Sequence, residues 1–243
     1  MAVASATSDY PRGNGTGGGG WTGADRALLL GLVAFAALRT ASLVFSPLEL
    51  GVDEAQYWLW STGFDFGYYT KPPLTSWIIG LSHGLFGHYE WAVRLPAPWL
   101  HLATSLVLWR AADWLAGPAA GRIAAIIWMT LPSIALGSFV ISTDTPLLLC
   151  WSAGVLALVG VLTGRLRERR GMLLAGGAFG AAMLAKYAAI YGLTGLALFV
   201  LATNVLPRGT ERQKVVGWRG LGLFALGMVV VASPNILWNL ANE

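Results

Sequence analysis

Seven apolar stretches divide the chain, near 27–47, 97–116, 119–141, 145–163, 171–186, 188–204 and 220–236. Each comes close to the about 20 residues that an α-helix needs to cross a bilayer core. This feature restricts the chain to an integral membrane protein. The predicted fold class is all-α: a polytopic membrane helix bundle of about seven transmembrane helices. The composition agrees, with 56% hydrophobic and 12% charged residues, where soluble domains carry about 25% charged. The fifth stretch is short and joined tightly to the sixth, so the count of seven depends on both being spans. Residues 74–87 are too short to span and read as a helix lying in the interface or re-entering it.

Charge sets the expected orientation, because cytoplasmic loops accumulate Lys and Arg. With the N-terminus inside, the cytoplasmic side collects Arg12, Arg26, Arg110, Arg122, Arg165, Arg167, Arg169, Arg170, Arg208, Arg212, Lys214 and Arg219. The outer side keeps Lys71, Arg94 and Lys186, while Arg39 falls within the first span, where it pairs or points into the bundle. Glu49, Asp53, Glu54, Asp65, Glu90 and Asp144 then gather on the outer face. The net charge of +4 is spread over short loops between apolar segments, which points to membrane lipids and not to nucleic acid. Cys150, the single cysteine, excludes an intrachain disulfide framework and reads as a small buried hydrophobe. Residues 1–24, with GNGTGGGG at 13–20, read as a disordered cytoplasmic tail. They are not a signal peptide, since the apolar stretch comes late and no small-residue cleavage site follows it. Residues 25–243 make up the transmembrane domain.

The first outer loop, about 48–96, is crowded with Tyr57, Trp58, Trp60, Phe64, Phe66, Tyr68, Tyr69, Trp77 and Trp91. Such rings favour the headgroup level, so the loop is expected to lie on the membrane as interfacial helices. Gly51 breaks the preceding helix, and DEAQYWLW then starts a helical pattern with Asp53 and Glu54 in its first turn. Acids there complement the helix dipole, which is their plain structural reading. Downstream, Pro72 and Pro73 stiffen the chain behind Lys71. A carboxylate and a held ammonium beside headgroups suit a lipid-phosphate substrate: lysine neutralises phosphate and the acid activates a hydroxyl. Simple snorkelling of Lys71 is the rival reading.

The block DEAQYWLWSTGFDFGYYTKPPLTSWIIGLSHGLFGHYEWAVRLPA resembles the first outer loop of polyprenyl-phosphate-sugar-dependent glycosyltransferases of the GT-C superfamily. These include the protein mannosyltransferase and lipid A aminoarabinose transferase families. The likeness continues in STDTPLLLCW at 142–151, GAFGAAMLAKY at 177–187 and SPNILWN at 233–239. The resemblance implies Asp53 as catalytic carboxylate, Glu54 as its neighbour, Asp144 as a second acid on the same cavity, and Lys71 on the lipid-linked phosphate. It further implies inversion at the anomeric carbon, a polyprenyl-phosphate-linked sugar as donor, and the outer face of a bacterial plasma membrane as the place. Members of the family typically run much longer, so the chain is expected to lack their C-terminal half. It would then be a short paralogue, a truncated product or one half of a two-subunit enzyme.

Tyr69, Arg94 and Lys186 complete the candidate substrate-binding set. Arg94 either pairs with Glu90 one turn earlier or contacts the donor phosphate. Lys186 either faces the cavity or snorkels. Asp144 has a capping role within STDTP, with Ser142 or Thr143 as the cap, and an ionisable group near membrane depth is also a functional candidate. Aminoarabinose-transferase-like members carry an acid before the phosphate-binding lysine that can bind a metal, whereas this chain has Thr70. His83, His88 and His101 show no ligand spacing, so no metal site is assigned and no cofactor is firmly predicted. Gly176, Gly177, Gly180, Gly192 and Gly195 read as close helix-packing positions.

Overall fold

The computed structural model describes residues 22–205 and 216–242. The glycine-rich tail up to residue 21 and the basic residues Arg208, Arg212 and Lys214 lie outside them. Eleven α-helices are described: α1 (Gly23–Val44), α2 (Val52–Ser61), α3 (Leu74–Phe86), α4 (Glu90–Arg94), α5 (Pro96–Ala116), α6 (Pro118–Thr130), α7 (Pro132–Gly137), α8 (Asp144–Leu162), α9 (Glu168–Ala185), α10 (Ile190–Val205) and α11 (Trp218–Ala241). A 3-10 turn, Tyr187–Ala189, joins α9 to α10, and an isolated bridge pairs Tyr68 with Lys71. No strand occurs among the described residues, so the all-α expectation stands.

Local chemistry sets the helix starts. Thr22 caps α1 and exchanges hydrogen bonds with Asp25, satisfying two otherwise open donors. Proline opens α5, α6 and α7, where its missing N–H costs nothing. Among the described residues, four segments are long and apolar enough to cross a membrane: Gly23–Val44, Asp144–Leu162, Tyr187–Asn204 and Trp218–Ala241. The stretch 119–141, expected as one span, is two helices. Leu131 is extended, at φ −59° and ψ 132°, and Pro132 starts α7. A residue before proline is driven out of the helical region, which explains the break.

Packing joins α5 to α6 and α8, α8 to α9, and α9 to α11. Small residues allow the last of these contacts. A β-carbon on Gly176 would overlap the Phe224 carbonyl, and one on Gly180 would stand 2.6 Å from the Met228 carbonyl. The main core lies among α8–α11, around Met172, Phe179, Phe224 and Met228, and a second core joins α1, α5 and α6. Arg39 does point into the bundle. It donates to Ser138 Oγ at 3.0 Å and to the Met129 carbonyl at 2.8 Å, near the end of α6. A cation there complements the carbonyl end of the α6 dipole.

Helices α2–α4 gather where α1, α7 and α9 end and where α5 and α8 begin. They form a cap on one end of the bundle, called here the loop end. Tyr57, Ile79, Val93, Ala97 and Ile141 make its core. The described basic residues Arg26, Arg110, Arg122, Arg165, Arg167, Arg169, Arg170 and Arg219 belong to the opposite helix ends.

Candidate active site at the loop end

Gly51 starts α2, and the Glu54 side chain reaches back to its N–H at 2.9 Å. The next three turns then send neighbouring side chains to different environments. Glu54 is 1% exposed and forms a bidentate pair with Arg94, at 2.9 Å from Nε and 2.8 Å from Nη2. Its Oε1 also accepts the Ile141 N–H at 3.0 Å. Arg94, 4% exposed, donates further to the Leu48 and Glu49 carbonyls at 2.8 and 2.7 Å, so four of its five N–H groups are engaged. Bonding to Glu54 holds the Arg94 guanidinium above its ordinary pKa, against the effect of burial.

This geometry corrects one expectation: Arg94 pairs with Glu54, 40 residues away, and not with Glu90. Both oxygens of Glu54 are bonded, so it braces α2 against α4 and the segment entering α8. Asp53 differs: it is exposed and makes no hydrogen bond or ion pair among the described residues.

The α8 start brings in the second acid. Thr143 is the N-cap residue of α8 and makes no side-chain cap bond, while Ser142 Oγ accepts the Asp144 N–H at 3.3 Å. The Asp144 carboxylate is then free to pair with Lys186 Nζ at 2.7 Å, and both side chains are about half exposed. Lys186 stands at the end of α9 in an extended conformation. Tyr57, buried on α2, reports how these pieces meet. Its phenol is pushed up by burial first, then by the charge of Asp53, and further by that of Asp144, while a hydrogen bond with Thr143 opposes them.

Lys71 lies on a two-sided turn in which Tyr68 and Lys71 exchange backbone bonds of 3.2 and 3.0 Å. The Tyr68 ring stacks on Trp60, with centroids 5.3 Å apart, and Tyr68 donates to the Gly63 carbonyl. Pro72 and Pro73 are buried behind the turn, and Leu74 packs against Leu147, Ala182, Ala185 and Ala189. The turn thus borders the ends of α8 and α9 that carry Asp144 and Lys186. Lys71 makes no ion pair among the described residues. Tyr69 is fully turned to the exterior.

The histidines divide between the loop and the bundle. The His83 and His88 rings lie 4.4 Å apart, Trp58 Nε1 donates to His88 Nδ1, and His101 is buried in α5. No group of three His, Cys, Asp or Glu side chains able to hold a metal occurs among the described residues. Sequence reasoning did not single out Asn235 and Tyr187 individually. Tyr187 donates to Asn235 Oδ1 at 3.1 Å, and Asn235 Nδ2 donates to the Phe66 carbonyl at 2.8 Å. The SPNILWN block contained the signal, since an asparagine deep in an apolar helix needs partners.

A membrane helix bundle with acids and lysines collected at one end matches what comparison with known proteins finds. The chain belongs to the dolichyl-phosphate-mannose-protein mannosyltransferase family, whose pattern it matches over residues 70–238. It is also similar to lipid A galacturonosyltransferase RgtD of Rhizobium johnstonii, with 35% identity over 222 residues. That alignment covers 90% of this chain and 44% of the relative, so the chain spans less than half the length of the curated relative it matches. No solved structure matches it.

Proposed function

We propose that the chain carries the catalytic face of a membrane glycosyltransferase. It would move a monosaccharide from polyprenyl phosphate to an acceptor hydroxyl, with inversion, at the outer face of a plasma membrane. The reading rests on one observation: the Asp144–Lys186 ion pair joins the α8 start to the α9 end at the loop end of the bundle, in a chain of the mannosyltransferase family. The spans in this reading are α1, α5, α6 with α7, α8, α9, α10 and α11, with the N-terminus inside. The gathering of eight of the ten described arginines at the end opposite the loop supports that orientation.

Asp53 accepts the proton as the acceptor O–H bond breaks and the new oxygen–carbon bond forms. The anomeric carbon–oxygen bond breaks on the opposite side, and both its electrons leave with polyprenyl phosphate. Lys71, an ammonium without a carboxylate partner, neutralises the charge that grows on that phosphate. Lys186, shared with Asp144, provides a second cation at the same mouth. Activation comes from the donor's own phosphate ester bond, and the scheme routes no step through a metal. The name of the R. johnstonii relative suggests a uronic sugar and a lipid A type of acceptor for this chain.

The test is native mass spectrometry of the purified chain with polyprenyl phosphate. The wild type should retain the lipid, and Lys71→Ala should lose most of it. Equal retention by the two proteins would end the role given to Lys71. A wild type that binds donor but never transfers sugar would instead be a non-catalytic lipid-phosphate-binding subunit.

A further inference from the structure

Polar side chains that the transfer scheme leaves unused tie separate pieces of the mouth together. Asn235, 3% exposed on α11, points its two ends at two different segments. Its Nδ2 donates to the Phe66 carbonyl at 2.8 Å, and its Oδ1 accepts the Tyr187 hydroxyl at 3.1 Å. Asn239, one turn further on, donates to the Tyr187 oxygen at 3.1 Å and to the Asn235 carbonyl at 3.0 Å. Trp238 lies so close over the backbone of Gly67 that a β-carbon there would overlap the indole.

These attachments fall at telling places. Phe66 and Gly67 immediately precede the bridged turn Tyr68–Lys71. Tyr187 immediately follows Lys186, whose ammonium holds Asp144. A buried amide is costly unless bonded, and a leucine would fill the same volume in an apolar helix without that requirement. The asparagine instead links the two lysine-bearing segments through one rigid planar group. Long lysine side chains bind a phosphate well only when their backbones are held at a fixed separation, because ordering them costs rotamer entropy.

We infer that Asn235 is a positioning residue for the donor phosphate, setting the Lys71 turn through Phe66 and the Lys186 segment through Tyr187. The nature of the anion rests on the glycosyltransferase reading; the bracket itself does not.

The experiment measures binding of two probes to the chain in nanodiscs: a polyprenyl monophosphate, and the matching polyprenol without phosphate. Asn235→Leu keeps the volume and adds no charge, and Tyr187→Phe removes one arm of the bracket should the first variant not fold. Each is expected to weaken polyprenyl phosphate binding about tenfold, the scale of a lost hydrogen bond at a charged site. Polyprenol binding should be unchanged, and Asn235→Leu should add nothing to the loss caused by removing both ammonium groups together, Lys71→Ala with Lys186→Ala. A general structural defect would weaken both probes alike, which overturns the inference, as would unchanged phosphate binding or losses that add with those of the Lys71→Ala, Lys186→Ala double variant. A wild type that binds polyprenol but not the phosphate would remove the glycosyltransferase reading and this inference together. Phosphate bound by the wild type and equally by Asn235→Leu would remove the inference alone.

Discussion

Asp53 and Glu54 are adjacent in sequence and have opposite fates, which only the third dimension decides. Asp53 is exposed and unpaired, whereas Glu54 is buried against Arg94. Breaking a buried ion pair by removing one partner leaves an uncompensated charge and costs about 3–5 kcal/mol. Glu54→Ala should therefore lower the thermal unfolding midpoint sharply in detergent, and Asp53→Asn should leave it within a degree or so. Equal midpoints for Glu54→Ala and wild type would contradict the brace. Sequence reasoning singles out Asp53, Lys71 and Asp144 because residue type, spacing and a proline pair mark them locally. It assigns Glu90 to Arg94 for the same reason: helical spacing sees one turn away, and the true partner lies 40 residues back. Asn235 escapes notice individually because nothing local distinguishes a bonded asparagine from one that faces a loop.

The helices themselves are legible wherever a single apolar run forms a single element, as in α1, α5, α8 and α11. The failure at 119–141 is instructive, since the apolar character runs on across Leu131 and Pro132 while the backbone does not. Hydropathy measures side chains, and the break comes from a missing N–H and a restricted residue before proline. Glycines mark close helix packing in the sequence, but which glycine matters, and against which helix, depends on the facing backbone. A methyl at Gly176 overlaps the Phe224 carbonyl, whereas Gly195 has nothing within 4 Å of a β-carbon. Gly176→Ala should destabilise by about 1–3 kcal/mol through overpacking. Gly195→Ala should be neutral or stabilising, because alanine is the better helix former by up to about 1 kcal/mol. Thermal unfolding of the two variants side by side checks this, and a reversed order would refute the packing of α9 on α11.

For the whole molecule, charge asymmetry sets the proposed orientation. Lys71, Asp53, Asp144 and Lys186 come from four separate segments, yet all stand at the end of the bundle opposite Arg26, Arg110, Arg122, Arg165, Arg167, Arg169, Arg170 and Arg219. In a Cys150→Ser background, a membrane-impermeant maleimide should label Thr70→Cys in intact cells and Arg169→Cys only after permeabilisation. The reverse pattern would turn the molecule over and move the reaction to the cytoplasmic face. Membership in the mannosyltransferase family is carried by blocks spread from residue 70 to residue 238, so the family was readable from sequence where the individual contacts were not. The most direct measurement is sugar transfer from a polyprenyl-phosphate donor in proteoliposomes, wild type against Asp53→Asn. The account predicts transfer by the wild type and a fall of about 10²–10⁴-fold in the variant, the usual contribution of a positioned base, with donor binding retained. Transfer by Asp53→Asn at the wild-type rate would contradict it.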